Sequence, residues 1–255
     1  MTVGVIESWA DDMDLRGMLE AERAEARADR VKRVVDVVVA SALLLAVLPV
    51  IAILALVSAA SLRAWPFFVQ DRIGRNGRTF RFVKIRTLPP ATAAYADKYA
   101  LADVRVPTAT RLMRALHLDE LPQLVLVVAG TMSLVGPRPE MPGLHDALPG
   151  HVARARTLVR PGVTGLWQVG AHCDGLIGES PEYDACYVRH RSLRFDLWIL
   201  LQTARKVLQG GRGHVRLDAL PAWVEASSAP QAFTSVIDLT GLTATDHVEL
   251  QVIEG

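Results

Sequence analysis

Asp119 and Glu120 stand side by side in LMRALHLDELPQL (112–124), a leucine-rich run with little else polar in it. Two readings fit the pair locally. Asp119 can act as the N-cap of a helix, with Glu120 in its first turn, Pro122 close behind, QLVLVVAG as the body and Gly130 as the stop. Alternatively, the pair does chemistry. Adjacent carboxylates repel each other, which raises one pKa unless cations compensate, so acid chemistry here needs basic partners. Arg111 and Arg114 lie one helical turn apart in RLMRALH, leading into the pair, and Arg138 stands between two prolines in TMSLVGPRPEMPG. A run at 78–86 sets Arg78, Arg81, Lys84 and Arg86 among Phe80, Phe82, Val83 and Ile85. Those cations either face solvent and lipid headgroups or form an anion site for phosphates.

The elements that must position these residues begin with a membrane segment. From Val37 to Leu62 the chain carries no charge, which is enough to meet the about 20 apolar residues that a bilayer core asks for. The segment starts well into the chain, is longer than a signal h-region and lacks a small-residue cleavage site, so it is not a cleavable signal. Arg27, Arg30, Lys32 and Arg33 precede it, and Arg63, Arg72, Arg75 and Arg78 follow it. Basic flanks mark the cytoplasmic side, so both ends are expected on one face. A re-entrant helix bent near Pro49 satisfies that demand, while an ordinary bitopic helix kinked at Pro49 is the competing topology. Asp36 would lie at the interface beside Lys32 and Arg33.

Upstream, MLEAERAEARADRVKR reads as a charged, solvated helix. Downstream, Asn76-Gly77 between two apolar, β-branched runs signals a hairpin. Residues 91–110 read as a short helix and a loop, and RPGVTGLWQV (160–169) as a second glycine and proline loop. SLRFDLWILLQTARKVLQGG (192–211) reads as an amphipathic helix, with Phe195, Leu197, Trp198 and Leu201 turned to a membrane surface or to the core. No internal repeat and no nucleotide-binding glycine fingerprint occurs in the chain.

Composition bounds the function classes. At 255 residues the chain holds one domain with appendages or two small ones. Its 51% hydrophobic content leans toward the membrane, and its net charge of +1 argues against coating nucleic acid. Arg72 to Arg86 as a nucleic-acid arm is a poor fit beside a membrane segment. Cys173 and Cys186 make no disulfide framework and suit a reducing compartment. With His172 and His190 they match no standard zinc spacing.

In order, QDRIGRNGRTFRFVKIRT, LDELPQL, MSLVGPRP and RPGVTGLWQV, with a late GHV at 213–215, resemble the bacterial sugar transferases, the monotopic phosphoglycosyl transferases acting on polyprenyl phosphate. The likeness covers about residues 30–217 and points to the compact type. It implies an α+β, mostly helical fold: a membrane-anchored monotopic domain with a re-entrant N-terminal membrane helix, a short β-hairpin and interfacial amphipathic helices. The expected division is 1–33 as a charged helix, 34–63 as the re-entrant helix, 64–217 as the catalytic domain and 218–255 as an extension.

The resemblance also implies an activity. A UDP-sugar gives its phosphosugar to undecaprenyl phosphate through an aspartyl-phosphosugar intermediate, releasing UMP and starting a glycan. Carried over by motif, Asp119 would be the nucleophile and Glu120 would hold Mg²⁺ with it. Arg138 would bind phosphate, and Lys84, Arg86 and Arg114 match basic positions near that site. Expected partners are the UDP-sugar, undecaprenyl phosphate and membrane lipids, with no nucleic acid and with a homodimer as an admissible assembly. The expected location is the cytoplasmic face of the bacterial inner membrane. The chain departs from the pattern in three places. KIRTL replaces a KFRTM-like run, His117 replaces a common serine, and GAHCDG follows WQV with His172 where an arginine is expected. That last change motivates a rival reading, a catalytically silent homologue that scaffolds a glycan assembly complex.

Overall fold

The computed structural model describes residues 3–95, 101, 104–210 and 214–225, with side chains from residue 24 onward. Part of the expected helix and loop at 91–110, and the extension beyond 225, lie outside the described residues.

A single helix, α1, runs from Val3 to Leu62 with Pro49 inside it. The expected charged helix and membrane helix are therefore one element. Its inward stripe reads Asp36, Ala40, Leu44, Val47, Ile51, Ala55 and Ser58, each buried or packed against the core. Steps of three and four residues keep a stripe on one helix face, here for about 33 Å at 1.5 Å per residue. The opposite faces leave Val34, Val38, Leu45, Leu48, Ile53 and Leu56 more than half exposed. A soluble protein's core helix buries its apolar residues, whereas this one is apolar enough to cross a membrane and is mostly uncovered.

Polar bonds fasten both ends of that apolar stretch to the same domain. At one end Arg33 donates to the carbonyls of Val127 and Val128, at 2.6 and 3.0 Å. Asp36 accepts from Ser133 Oγ at 2.7 Å and from the Leu134 N–H at 3.3 Å. Lys32 reaches Asp196 at 2.6 Å and Asp36 at 3.6 Å. At the other end Ser58 Oγ donates to the Arg86 carbonyl at 2.6 Å.

Strands β1 (Phe67–Ile73) and β2 (Thr79–Ile85) form the antiparallel hairpin, with Phe67 opposite Ile85 and Ile73 opposite Thr79. Asn76 and Gly77 both take positive φ at its tip, +58° and +71°, the conformation an Asn-Gly turn adopts most readily. The hairpin is followed by α2 (Thr108–Ala115), α3 (Gln123–Ala129), β3 (Ser133–Val135), α4 (Pro142–Asp146), α5 (Gly150–Thr157), β4 (Gly162–Thr164) and α6 (Leu166–Val169). Helices α7 (Glu182–His190), α8 (Leu193–Leu208) and α9 (Ala222–Glu225) complete the described fold.

The two glycine and proline loops expected from sequence thus each contain a strand. β3 and β4 pair in parallel, Ser133 opposite Gly162 and Val135 opposite Thr164. A side chain on Gly136, Gly162 or Gly165 would collide with facing backbone, so glycine is what lets these strands approach.

In α8 the Ser192 hydroxyl caps the first turn by accepting from Phe195 N–H at 3.2 Å. Phe195 is fully buried and Trp198 is half-buried against the core. Leu193, Leu197, Leu201 and Leu208 hold the exposed apolar face instead. The start of the expected extension also joins the core, with Val224 buried and the Trp223 ring edge-on to Phe195.

Candidate active site

Asp119 and Glu120 occupy a 3-10 turn, Leu118–Glu120, between α2 and α3. His117 enters the turn with a left-handed backbone, φ +56°, and its carbonyl accepts the Glu120 N–H at 3.2 Å. Helix α3 begins only at Gln123, after Pro122, and no side chain caps it. The N-cap reading of Asp119 is thereby corrected: Pro122 withholds an N–H, so the chain turns tightly before the helix starts. Gly130 ends α3 with φ +93°, as the sequence leads one to expect.

The turn buries Asp119 to 4% exposure and leaves the Glu120 side chain one-fifth exposed. Burial and the neighbouring Glu120 push the Asp119 carboxyl up to about 6, against the pull of Lys84 and Arg114. Burial also pushes Glu120 upward, but Arg138, Lys84, His117 and the Gln123 amide together draw it below the ordinary range. Arg138 Nη1 lies 4.0 Å from Glu120 Oε1. Adjacent acids with pKa values driven apart are suited to different tasks.

The cations come from separate parts of the chain. Lys84 sits on β2, Arg114 near the end of α2 and Arg138 in the loop after β3. Burial lowers the Lys84 ammonium pKa, opposed by Asp119 and Glu120, and its Nζ stands 5.4 Å from the Phe68 ring centre. Arg138 lies 6.0 Å from the Trp167 ring centre. Five of the six residues singled out from sequence are therefore together. Arg86 shares the Phe68 ring at 5.6 Å, but its Nε donates to the Trp65 carbonyl at 3.0 Å, at the foot of α1.

Arg72 joins the site without having been singled out for it. It is buried on β1 and donates to the Pro139 carbonyl at 3.1 Å. Burial and the nearby Arg138 lower its pKa to about 10, opposed by Glu140 and Glu120. The available signal was period-2 alternation, which puts Arg72 on the same buried face as Gln70. Gln123 is a second addition, buried beside Glu120 with its Nε2 lacking a hydrogen bond of ordinary geometry.

Exposed apolar side chains also lie close to the acid pair in the chain. Leu112 on α2, Leu116 just after it and Val125 on α3 are exposed, and both helices pack against α1.

The bacterial sugar transferase profile matches residues 27–210, a span that contains every one of these residues. The chain belongs to the bacterial sugar transferase family. Its relatives include a UDP-glucose:undecaprenyl-phosphate glucose-1-phosphate transferase of Caulobacter vibrioides, 36% identical over 69% of this chain and 69% of that protein. The exopolysaccharide production protein ExoY of Rhizobium meliloti is 34% identical over 68% of this chain and 83% of its own length. A UDP-galactose-lipid carrier transferase of Erwinia amylovora is 34% identical over 70% of this chain. The match takes in only 40% of the Erwinia protein, so longer members extend well beyond the shared region.

Within this sugar transferase the three departures noted from sequence fall in different surroundings: Ile85 of KIRTL is fully buried, and His117 leads into the acid turn. His172 is exposed and edge-on to Tyr183 at 6.2 Å. Beside it, Cys173 lies 3.4 Å from Lys206 Nζ, which also bonds the Gln168 carbonyl. Burial lowers the His117 pKa, opposed by Glu120. None of the three departures removes a member of the acid pair or its cations.

Proposed function

We propose that this sugar transferase moves a phosphosugar from a UDP-sugar to undecaprenyl phosphate by way of Asp119. In the first displacement an Asp119 oxygen bonds to the sugar-bearing phosphorus. The phosphoanhydride P–O bond breaks, and UMP leaves with the electron pair. In the second, a phosphate oxygen of undecaprenyl phosphate attacks the same phosphorus and the Asp119 carboxylate departs. The product is a lipid-linked diphosphate sugar. Two displacements let two unlike substrates use one site in turn.

One observation carries this reading: a buried aspartate, pushed up to about 6, lies beside Lys84 of β2 and Arg114 of α2, while Arg138 draws its neighbour Glu120 below the ordinary range. A carboxylate of raised basicity is the stronger nucleophile and is still mostly ionised at pH 7. Lys84, Arg114 and Arg138 would offset the repulsion between that carboxylate and the diphosphate.

The donor set suits Mg²⁺. Two carboxylates are the oxygen ligands it prefers, and it commonly takes its remaining ligands from water and substrate phosphates. Asp119 and Glu120 would hold it, and no third His, Cys, Asp or Glu joins them in a metal cluster among the described residues. When bound, the ion would neutralise phosphate charge in the transition state.

One-sided anchoring of α1 agrees with its geometry. Its inward stripe and the polar bonds at both ends meet the same domain. A helix crossing to the far side would drag that domain into hydrocarbon, where unpaired backbone is prohibitive. The domain then sits at headgroup level on the cytoplasmic face, within reach of the polyprenyl phosphate.

Incubating purified protein in nanodiscs with a panel of sugar-labelled UDP-sugars tests the scheme. Expected are a phosphosugar adduct on Asp119 and stoichiometric UMP release when undecaprenyl phosphate is withheld. A folded protein that releases no UMP from any donor would favour the silent scaffold.

A further inference from the structure

The loop that carries Arg138 cannot hold itself in place. Pro137 and Pro139 have no N–H to donate, and the hydrogen bonds that order the segment arrive from outside it. Four successive carbonyls are each met by a donor from elsewhere. Pro137 O accepts from Gly162 N at 2.9 Å, and Glu140 O accepts from Ile73 N at 2.9 Å. Pro139 O accepts from Arg72. Arg138 O accepts from Arg156 Nη2 at 2.6 Å, the shortest of the four.

Arg156, on α5, is itself aimed. Its Nε donates to Asp184 Oδ2 at 2.8 Å, and Asp184, on α7, is fully buried. One planar guanidinium therefore bridges a fixed carboxylate and the backbone of the residue whose side chain faces Glu120. A buried ion pair adds little net stability over apolar packing, whereas a two-armed fork fixes direction. The 4.0 Å separation of Arg138 from Glu120 is too long for a hydrogen bond, so the backbone is what sets the reach of that side chain.

We propose that Arg156 and Asp184 are a positioning pair that aims Arg138 at the donor's diphosphate. This rests on the reading of Arg138 as a phosphate ligand. Neither residue touches substrate, and both act through the Arg138 carbonyl.

A double-mutant cycle on the full chain in nanodiscs tests this, reading donor KM and kcat for UMP release and the affinity for UDP by calorimetry. Arg156→Lys keeps the charge but loses one arm of the fork. It should raise donor KM and UDP Kd about tenfold, the scale of one lost charge-assisted bond. In an Arg138→Ala background the same change should alter UDP affinity less than about twofold. Equal effects in both backgrounds would overturn the proposal, because a purely structural role does not depend on the Arg138 side chain. Should Arg156→Lys fail to fold, Asp184→Asn frees the same guanidinium and must show the same dependence on Arg138. Wild-type protein that binds UDP yet releases no UMP would defeat the reaction scheme alone, and the affinity cycle would still decide the aiming role. Wild-type protein that neither binds nor turns over would sink both.

Discussion

Asp119→Asn keeps the size of the side chain and removes the charge that burial opposes. Transfer should vanish, since the amide is no nucleophile toward phosphorus, and near wild-type UMP release would exclude the assignment. The sign for stability is opposite. A folded-state pKa of about 6 means that the protonated carboxyl favours the fold. That contribution is complete below the unfolded value near 3.9 and lost as pH rises through 6. At pH 7.5 the variant should therefore melt higher than wild type by calorimetry, by up to about 10 °C. Activity follows the ionised form, so kcat/KM without added metal should fall about tenfold per unit below pH 6. Glu120→Gln removes a like charge that raises Asp119, and its acid limb should move to lower pH. The same variant should have lower activity and should need more Mg²⁺ for half-maximal rate, measured by titration after chelation.

Between elements, Asp36 makes some of the polar bonds that join α1 to the domain, alongside those of Arg33, Lys32 and Ser58. Asp36 accepts from both Ser133 Oγ and the Leu134 N–H where β3 begins, and Lys32 lies against it. Asp36→Ala takes the acceptor from the buried Leu134 N–H and leaves Ser133 Oγ with the Val135 carbonyl alone, at a cost of about 2 kcal/mol. Denaturant unfolding in detergent micelles should register that loss. Because β3 leads directly into the Arg138 loop, donor KM should rise as well. An unchanged midpoint would mean that the Asp36 bonds add nothing to what the apolar stripe, Arg33, Lys32 and Ser58 already hold.

Taken as a whole, the described fold is a long apolar helix packed along one stripe against the domain that holds the acid pair. In a cysteine-free background, Ala26→Cys and Arg78→Cys should both be labelled by an impermeant maleimide only when the cytoplasmic face is open. Labelling from opposite faces would establish a bitopic span. The row Leu193, Leu197, Leu201 and Leu208 on α8 is a second exposed apolar face in addition to that of α1, and exposed apolar surface of this kind suits a lipid contact.

What could be read from the chain alone was local or periodic. The uncharged run at 37–62, the Asn76-Gly77 turn, the acid pair, and Arg138 between its prolines announce themselves through composition and spacing, which need no knowledge of contacts. Motif order then supplied the family. Only the tertiary structure decided which cations face the acids. Lys84 and Arg86 look alike two residues apart, yet Arg86 is drawn to the Trp65 carbonyl and Lys84 is left beside Asp119. It also turned Phe195 and Trp198 inward, and it joined Arg156 to Asp184 across 28 residues. Burial and hydrogen-bond partnership are properties of pairs of distant residues, and no window of sequence contains them.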